Sequence, residues 1–197
     1  PMDCLNCRKL GSCKLQKYCQ MYGVDGPSYT APFVHREKDL SNRFYLQDMD
    51  KCIRCGKCVR TCRDLVGINA LKMVRKDDLI YIVPNGGETM ADTDCVSCGN
   101  CVSACPVGAL MPKSQNDFRV WETNVVRTAC GYCGVGCQID FSVKNGKVVD
   151  AKPAHGPSNG GLLCVNGKFA YDYVNHPDRL TTPLIRKNGV LEPASWE

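Results

Sequence analysis

The alternation of apolar and polar positions predicts two β-hairpins in this 197-residue chain. Ala70–Val74 and Leu79–Val83 flank the charged Lys76-Asp77-Asp78, so the first hairpin turns there. Downstream, Ile139, Phe141 and Val143 occupy every second position, Asn145-Gly146 supplies a two-residue turn, and Lys147–Lys152 returns. Helical periodicity is confined to Leu15–Tyr22, ended by Gly23. Residues 23–50, with Pro27 and Pro32, and residues 113–124 are polar and turn-rich and read as linkers. Pro84-Asn85-Gly86-Gly87 and Ala154 to Gly161 read as loops. No apolar run approaches the ~18 residues of a membrane span, and no signal peptide is visible. The chain opens on Pro1 and stops at Ser195-Trp196-Glu197, so it is expected to be part of something longer and the missing leader carries little weight.

The cysteines change this picture. There are sixteen, in four groups of four: Cys4, Cys7, Cys13, Cys19; Cys52, Cys55, Cys58, Cys62; Cys95, Cys98, Cys101, Cys105; and Cys130, Cys133, Cys137, Cys164. Disulfide scaffolds are short and secreted. Cys-x-x-Cys pairs instead place two sulfurs on one side of a tight loop, which suits a metal. Iron–sulfur clusters are the favoured reading, with structural zinc and disulfides as the alternatives. The formal net charge is +5 with neutral thiols, but bound metal deprotonates them. Four iron–sulfur cubes would bring the balance to about −2. The basic pI is therefore no argument for nucleic acid, and no basic run interleaved with aromatics is present. His35, in the charged run His35–Asp39, and His155, in a flexible loop, read as exposed residues rather than ligands.

The two central groups each follow C-x2-C-x2-C-x3-C, a run that resembles bacterial two-cluster ferredoxins. The resemblance implies that three thiolates wrap one [4Fe–4S] cube and the fourth crosses to the other. Cys52, Cys55, Cys58 and Cys105 would then hold one cube, and Cys95, Cys98, Cys101 and Cys62 the other. Cys62–Leu71 echoes Cys105–Leu110 as an internal repeat, with each fourth cysteine expected to open a short helix. Arg63 stands where the second half has Pro106. Gly56 and Gly99 permit backbone angles that bring N–H groups close to sulfur.

Pro1, Asp3, Cys4, Cys7, Cys13, Leu15 and Gln16 resemble the cluster site of the large peripheral-arm subunit of respiratory complex I. Iron-only hydrogenases and several cytoplasmic formate dehydrogenases share that site. The resemblance implies a Cys3His cube whose histidine would immediately precede Pro1. Cys19 is the alternative fourth ligand, although a cysteine on a short helix is often a buried small apolar group.

Thr128 to Cys137, containing Cys130-Gly131-Tyr132-Cys133-Gly134-Val135-Gly136-Cys137, resembles the N-terminal cluster domain of molybdenum or tungsten bis-pyranopterin oxidoreductases. Formate dehydrogenases and assimilatory nitrate reductases are the most similar. The likeness continues through Gly161–Cys164, His176–Leu180, Thr182–Arg186 and Pro193–Glu197. It implies a fourth cube on Cys130, Cys133, Cys137 and Cys164. The family usually carries Cys-x-Lys-Gly at this point, with the lysine between cube and pterin. Here Asn166 takes that place and Lys168 follows two residues later, and these two are the candidate pterin contacts.

Together the resemblances imply an α+β chain: a His–Cys cluster segment (1–22), a linker (23–50), a two-[4Fe–4S] ferredoxin-like domain (51–112), a linker (113–124) and a small β-rich [4Fe–4S] domain of the molybdopterin oxidoreductase type (125–197). They imply the electron-relay part of a cytoplasmic formate dehydrogenase or CO2 reductase catalytic subunit. Its Mo- or W-bis-pyranopterin guanine dinucleotide and catalytic residues would lie beyond Glu197. Partners would be diaphorase, ferredoxin-like or hydrogenase subunits. The alternatives are a complex I large subunit, a free-standing polyferredoxin, another pterin enzyme such as a nitrate reductase, and a zinc-built binding protein.

Overall fold

The computed structural model describes residues 4–27, 35–76, 78–113 and 118–197. Pro1, Asp3, Pro32 and Asp77 lie outside the described residues. The architecture is α+β, built of short elements around two apolar clusters. The larger cluster gathers Tyr45, Val59, Leu71, Ile82, Met90, Val102, Val107 and Leu110 with Cys58, Cys101 and Cys105. The smaller gathers Val148, Ala151 and Tyr171, with Phe141, Val143 and Val174 against them.

In the N-terminal segment a 3-10 turn, Cys4–Asn6, precedes helix α1, Lys14–Met21. Gly23 follows at φ +64°, a left-handed angle that ends the helix without cost for a residue lacking Cβ.

The segment expected as a linker before residue 51 is partly core. Strand β1, Tyr45–Gln47, pairs antiparallel with β4, Leu110–Pro112, and Asp39 bridges to Gln47. Tyr45 is fully buried, and Asn42, Gln47 and Asp48 are buried polar residues. Two strands join because the ferredoxin unit would otherwise expose Leu110 and leave the β4 main chain unpaired. His35 is exposed as expected and pairs with the Asp50 carboxylate.

Helix α2, Lys57–Arg60, runs on into a π-turn, Thr61–Val66, which contains Cys62 and stops at Gly67, φ +81°. Strands β2, Leu71–Lys76, and β3, Leu79–Pro84, form the expected hairpin, with Asp78 at φ +62° in its turn. Helix α3 is Asn100–Ala104. The helix expected after Cys105 is absent. Four residues separate Cys105 from β4, and Val107–Leu110 are buried, so this stretch is spent on turning into the β1–β4 pair.

The C-terminal unit is a three-stranded sheet of β5, Asn124–Ala129, β6, Gln138–Lys144, and β7, Lys147–Pro153, in that order. Asn145 and Gly146 both lie at positive φ, +51° and +76°, as a tight hairpin turn requires. Helix α4, Val165–Phe169, follows Cys164, and a final hairpin pairs β8, Leu184–Lys187, with β9, Val190–Pro193. Sequence periodicity identified β6 and β7. It missed β5, whose residues are all exposed and therefore show no alternation. Among the described residues no helix is long and apolar enough to cross a membrane.

Candidate metal centres

The two ferredoxin-like runs fold as a pseudo-symmetric pair. In each, the residue before the second cysteine sits at positive φ (Arg54 at +58°, Ser97 at +53°), as does the glycine after it (Gly56 at +68°, Gly99 at +74°). This path wraps the chain so that main-chain N–H groups face sulfur. Arg54 N donates to Cys52 Sγ at 3.3 Å, and Ser97 N to Cys95 Sγ at 3.4 Å. Ala70 N donates to Cys62 Sγ at 3.3 Å.

The fold gathers the cysteines into two rings with crossed membership. One small cavity is lined by Cys52, Cys55, Cys58 and Cys105, together with Ile53, Val107 and Leu110. The other is lined by Cys62, Cys95, Cys98 and Cys101, with Tyr45, Leu71 and Met90. Burial, then the neighbouring Cys105 and Cys52 sulfurs, pushes the Cys58 thiol up to about 12. Cys52 is raised by burial and by Cys105 and Cys55, and Cys62 by burial and by Cys95 and Cys98. Cys101 is raised by burial and by Cys98, Cys58, Cys95 and Cys62, which sets the two rings side by side. Four thiolates crowded into an apolar hole repel one another, so they ionise only when a compensating cation arrives.

The donor set fits a cube. Each of the two cavities is ringed by four thiols in apolar surroundings, and four thiolates are the ligand set of a [4Fe–4S] cube.

The C-terminal ring is formed on loops. Cys130 N donates to Cys137 O at 2.8 Å, and Cys164 precedes α4, whose Lys168 N donates to Cys164 O at 3.0 Å. Cys137 is held above its ordinary range by burial and by the nearby Cys130, Cys133 and Cys164. Cys133 and Cys164 are exposed. Asn166, one of the two candidate pterin contacts, is also exposed, whereas Lys168 is 3% exposed. Its ammonium donates to Ala151 O and lies 3.5 Å from Asp150 Oδ1. Burial lowers its pKa, opposed by Asp150.

In the N-terminal segment Cys4 and Cys7 lie on one turn, Cys7 N donating to Cys4 O at 3.2 Å, and Cys13 caps α1. Cys19 lies six residues on, about 240° round a helix of 3.6 residues per turn. Arg119 fastens this segment through Nη1 to Cys7 O at 2.7 Å and Nη2 to Leu5 O at 3.3 Å.

Contacts between units set the two outer cysteine groups against opposite sides of the ferredoxin pair. A Cβ on Gly108 would lie 2.8 Å from Cys7 Sγ, and Lys14 N donates to Pro106 O at 2.9 Å, so the N-terminal segment abuts the Cys105 side. A Cβ on Gly99 would lie 2.6 Å from Phe169, so α4 abuts the Cys95 side. Gly167, on α4, faces Cys130 Sγ, 3.7 Å from where its Cβ would be. Asn100 joins the two units by a double hydrogen bond: its Nδ2 donates to Leu163 O at 2.9 Å and its Oδ1 accepts from Leu163 N at 3.0 Å. Asn100 is followed by Cys101, and Leu163 by Cys164. Phe44 stacks on Phe169 at 5.2 Å.

Asn100, Tyr45, Asn42 and Arg119 were not singled out by sequence reasoning. The first had a signal, since the repeat places Lys57 opposite Asn100 and thus breaks its own symmetry there. The others contact the cysteine groups only through tertiary folding.

Three family models match the chain. They are the NADH-ubiquinone oxidoreductase-G iron-sulfur binding region at 1–28, the 4Fe-4S dicluster domain at 51–109 and the molybdopterin oxidoreductase Fe4S4 domain at 123–176. The chain is 35% identical over 187 residues to the alpha subunit of an NADPH-Fe(3+) oxidoreductase of Geobacter sulfurreducens, covering 94% of this chain and 22% of the relative. It is 36% identical over 202 residues to a G-type subunit of an NADH-quinone oxidoreductase of Rhizobium meliloti, covering 100% and 23%. A Staphylococcus haemolyticus protein whose name proposes a formate dehydrogenase is 27% identical over 227 residues, covering 95% and 23%. The chain thus spans under a quarter of the length of these relatives. Among solved structures, an NAD+-reducing [NiFe]-hydrogenase in its H2-reduced state matches with a TM-score of 0.54 and 26% identity, covering 60% of this chain and 51% of that one.

Proposed function

Because this chain carries iron–sulfur domains of the molybdopterin oxidoreductase / NADH-quinone oxidoreductase G type, we infer that it is the electron-relay part of a formate dehydrogenase catalytic subunit. The observation that carries this reading is that the N-terminal segment abuts the Cys105 side of the central pair and the C-terminal unit abuts its Cys95 side. Cys130, Cys133, Cys137 and Cys164 would hold the cube beside the pterin site. Cys62, Cys95, Cys98 and Cys101 would hold the next, and Cys52, Cys55, Cys58 and Cys105 the third. Cys4, Cys7 and Cys13, with a histidine preceding Pro1, would hold the last. Cubes bound there supply one-electron carriers.

The chain's own residues do the rest. Asn100 and Leu163 fix the spacing between the first two groups. Leu71, Met90, Val107 and Leu110 keep water from the central pair. Asn166 is the candidate pterin contact at the surface, since Lys168 is engaged with Asp150 and Ala151. The Mo- or W-pterin would be bound by the rest of the protein, and the electrons would leave for diaphorase, ferredoxin-like or hydrogenase subunits in the cytoplasm. Formate over another pterin substrate is favoured by the Cys130–Cys137 run and by the Staphylococcus relative. The second reading, the iron–sulfur subunit of an NADH-quinone oxidoreductase, draws on the Rhizobium relative.

Anaerobic purification of the full-length protein tests the relay. A brown protein with about 16 iron atoms for the four cubes of this region is expected. Stoichiometric zinc without visible absorbance would end the reading. Formate-dependent dye reduction with Mo or W in the same sample is expected for a formate dehydrogenase, and its absence favours the NADH-quinone oxidoreductase reading. Ring membership has its own check. Cys62→Ala is expected to change the spectrum of the cube on Cys95, Cys98 and Cys101, and a change confined to the Cys52 side would disprove the crossover.

A further inference from the structure

We propose that Tyr45 sets the central pair apart: its buried hydroxyl donates to the Cys95 sulfur and raises the reduction potential of the cube on that ring above that of its pseudo-symmetric twin. The inference rests on the reading that Cys62, Cys95, Cys98 and Cys101 hold a cube.

Tyr45 opens strand β1, is 0% exposed, and carries its hydroxyl oxygen 3.3 Å from Cys95 Sγ. A sulfur bound to iron has no proton, so in the loaded protein only the O–H can donate. Asn42, 7% exposed, adds a longer contact, Nδ2 to Cys95 Sγ at 3.9 Å. It is held in place by Nδ2 to Ser97 Oγ at 2.9 Å and by Phe44 N to Oδ1 at 2.9 Å. Across the pseudo-two-fold Arg54 N serves Cys52 as Ser97 N serves Cys95, and Ala70 N adds a main-chain donor to Cys62 on the Cys95 ring. The Tyr45 and Asn42 side chains act on the Cys95 side.

Reduction adds one negative charge to the cube and its sulfurs. A donor already aimed at sulfur in a dry, low-dielectric site favours the more negative state, and the potential rises. The ring so favoured is the one against α4, nearest the C-terminal group. An electron arriving from that group would meet the better acceptor of the pair first.

The test is an EPR-monitored redox titration of the full-length, cluster-loaded protein and of Tyr45→Phe, which keeps the buried ring and removes only the hydroxyl. At the potential where the parent cube is half reduced, the variant's reduced-to-oxidised ratio is expected to fall about three- to tenfold, the worth of one hydrogen bond. A tenfold fall corresponds to 59 mV for one electron. The Cys52-side midpoint is expected to stay. An unchanged Cys95-side midpoint with the cube present overturns the inference and leaves the ring assignment standing. A parent protein with no cube on that ring overturns both. Electron–nuclear double resonance on the uniformly 15N-labelled parent gives a second reading: an exchangeable proton coupled to the reduced cube and not borne on nitrogen is expected, and its absence overturns the inference whether or not the variant folds.

Discussion

Asn100→Leu is expected to loosen the C-terminal unit from the ferredoxin unit by about 2–6 kcal/mol, because it leaves two buried main-chain groups unpaired. The side chain is 5% exposed and makes both bonds to Leu163, itself 4% exposed. Leucine matches asparagine in heavy-atom count and branching but offers neither donor nor acceptor, and water has little access to replace them. The Leu163 amide reports the change. Its hydrogen exchange, slowed by Asn100 Oδ1, should accelerate, whereas unchanged exchange would show that the clamp does not hold the units together. The same loosening should weaken magnetic coupling between the reduced clusters on either side. Asn100 and Leu163 each adjoin a proposed ligand, Cys101 and Cys164.

The two pseudo-equivalent glycines are expected to respond unequally to alanine. Gly99→Ala should cost about 2–5 kcal/mol, combining the left-handed angle with overpacking. At φ +74° its Cβ would lie 2.6 Å from Phe169 Cζ and 2.7 Å from Lys168 Cγ. Lys168 is buried and bonded, and Phe169 is stacked on Phe44, so neither yields easily. Gly56→Ala, at φ +68°, would meet Met73 Sδ at 2.8 Å and Arg60 Nη1 at 2.9 Å, the ends of flexible side chains. It should cost only the backbone strain, about 1–2 kcal/mol. Thermal loss of cluster absorbance in the two variants compares them. Equal losses would mean that α4 does not press on the Cys95 side.

The cysteine spacing carried much of what could be read in advance. C-x2-C-x2-C-x3-C, repeated, brought out the central unit, because three ligands on one short loop are a local property. The hairpins at Ala70–Val83 and Gln138–Lys152 were legible for the same reason, since their alternation and turn residues are local. Strand β5 was not, because its exposed residues carry no period. The stretch before Cys52 was not legible either. Its composition is that of a loop, yet Tyr45 is the most completely buried aromatic residue of the ferredoxin core and Asn42 and Asp48 are buried beside it. Short β-strands that pair across a long stretch of chain, as Tyr45 does with Pro112, leave no local mark.

The sequence by itself determined the cysteine spacings, their grouping in fours and the order of the units along the chain, since those follow from spacing within short loops. Tertiary structure decided which ring faces which neighbour. Gly108 lies against Cys7, while Gly99 and Asn100 lie against α4 and Leu163. It also decided that one ring receives a tyrosine hydroxyl. These are contacts between residues far apart in the chain, fixed by close packing and by the need to pair every buried polar group, and no periodicity encodes them.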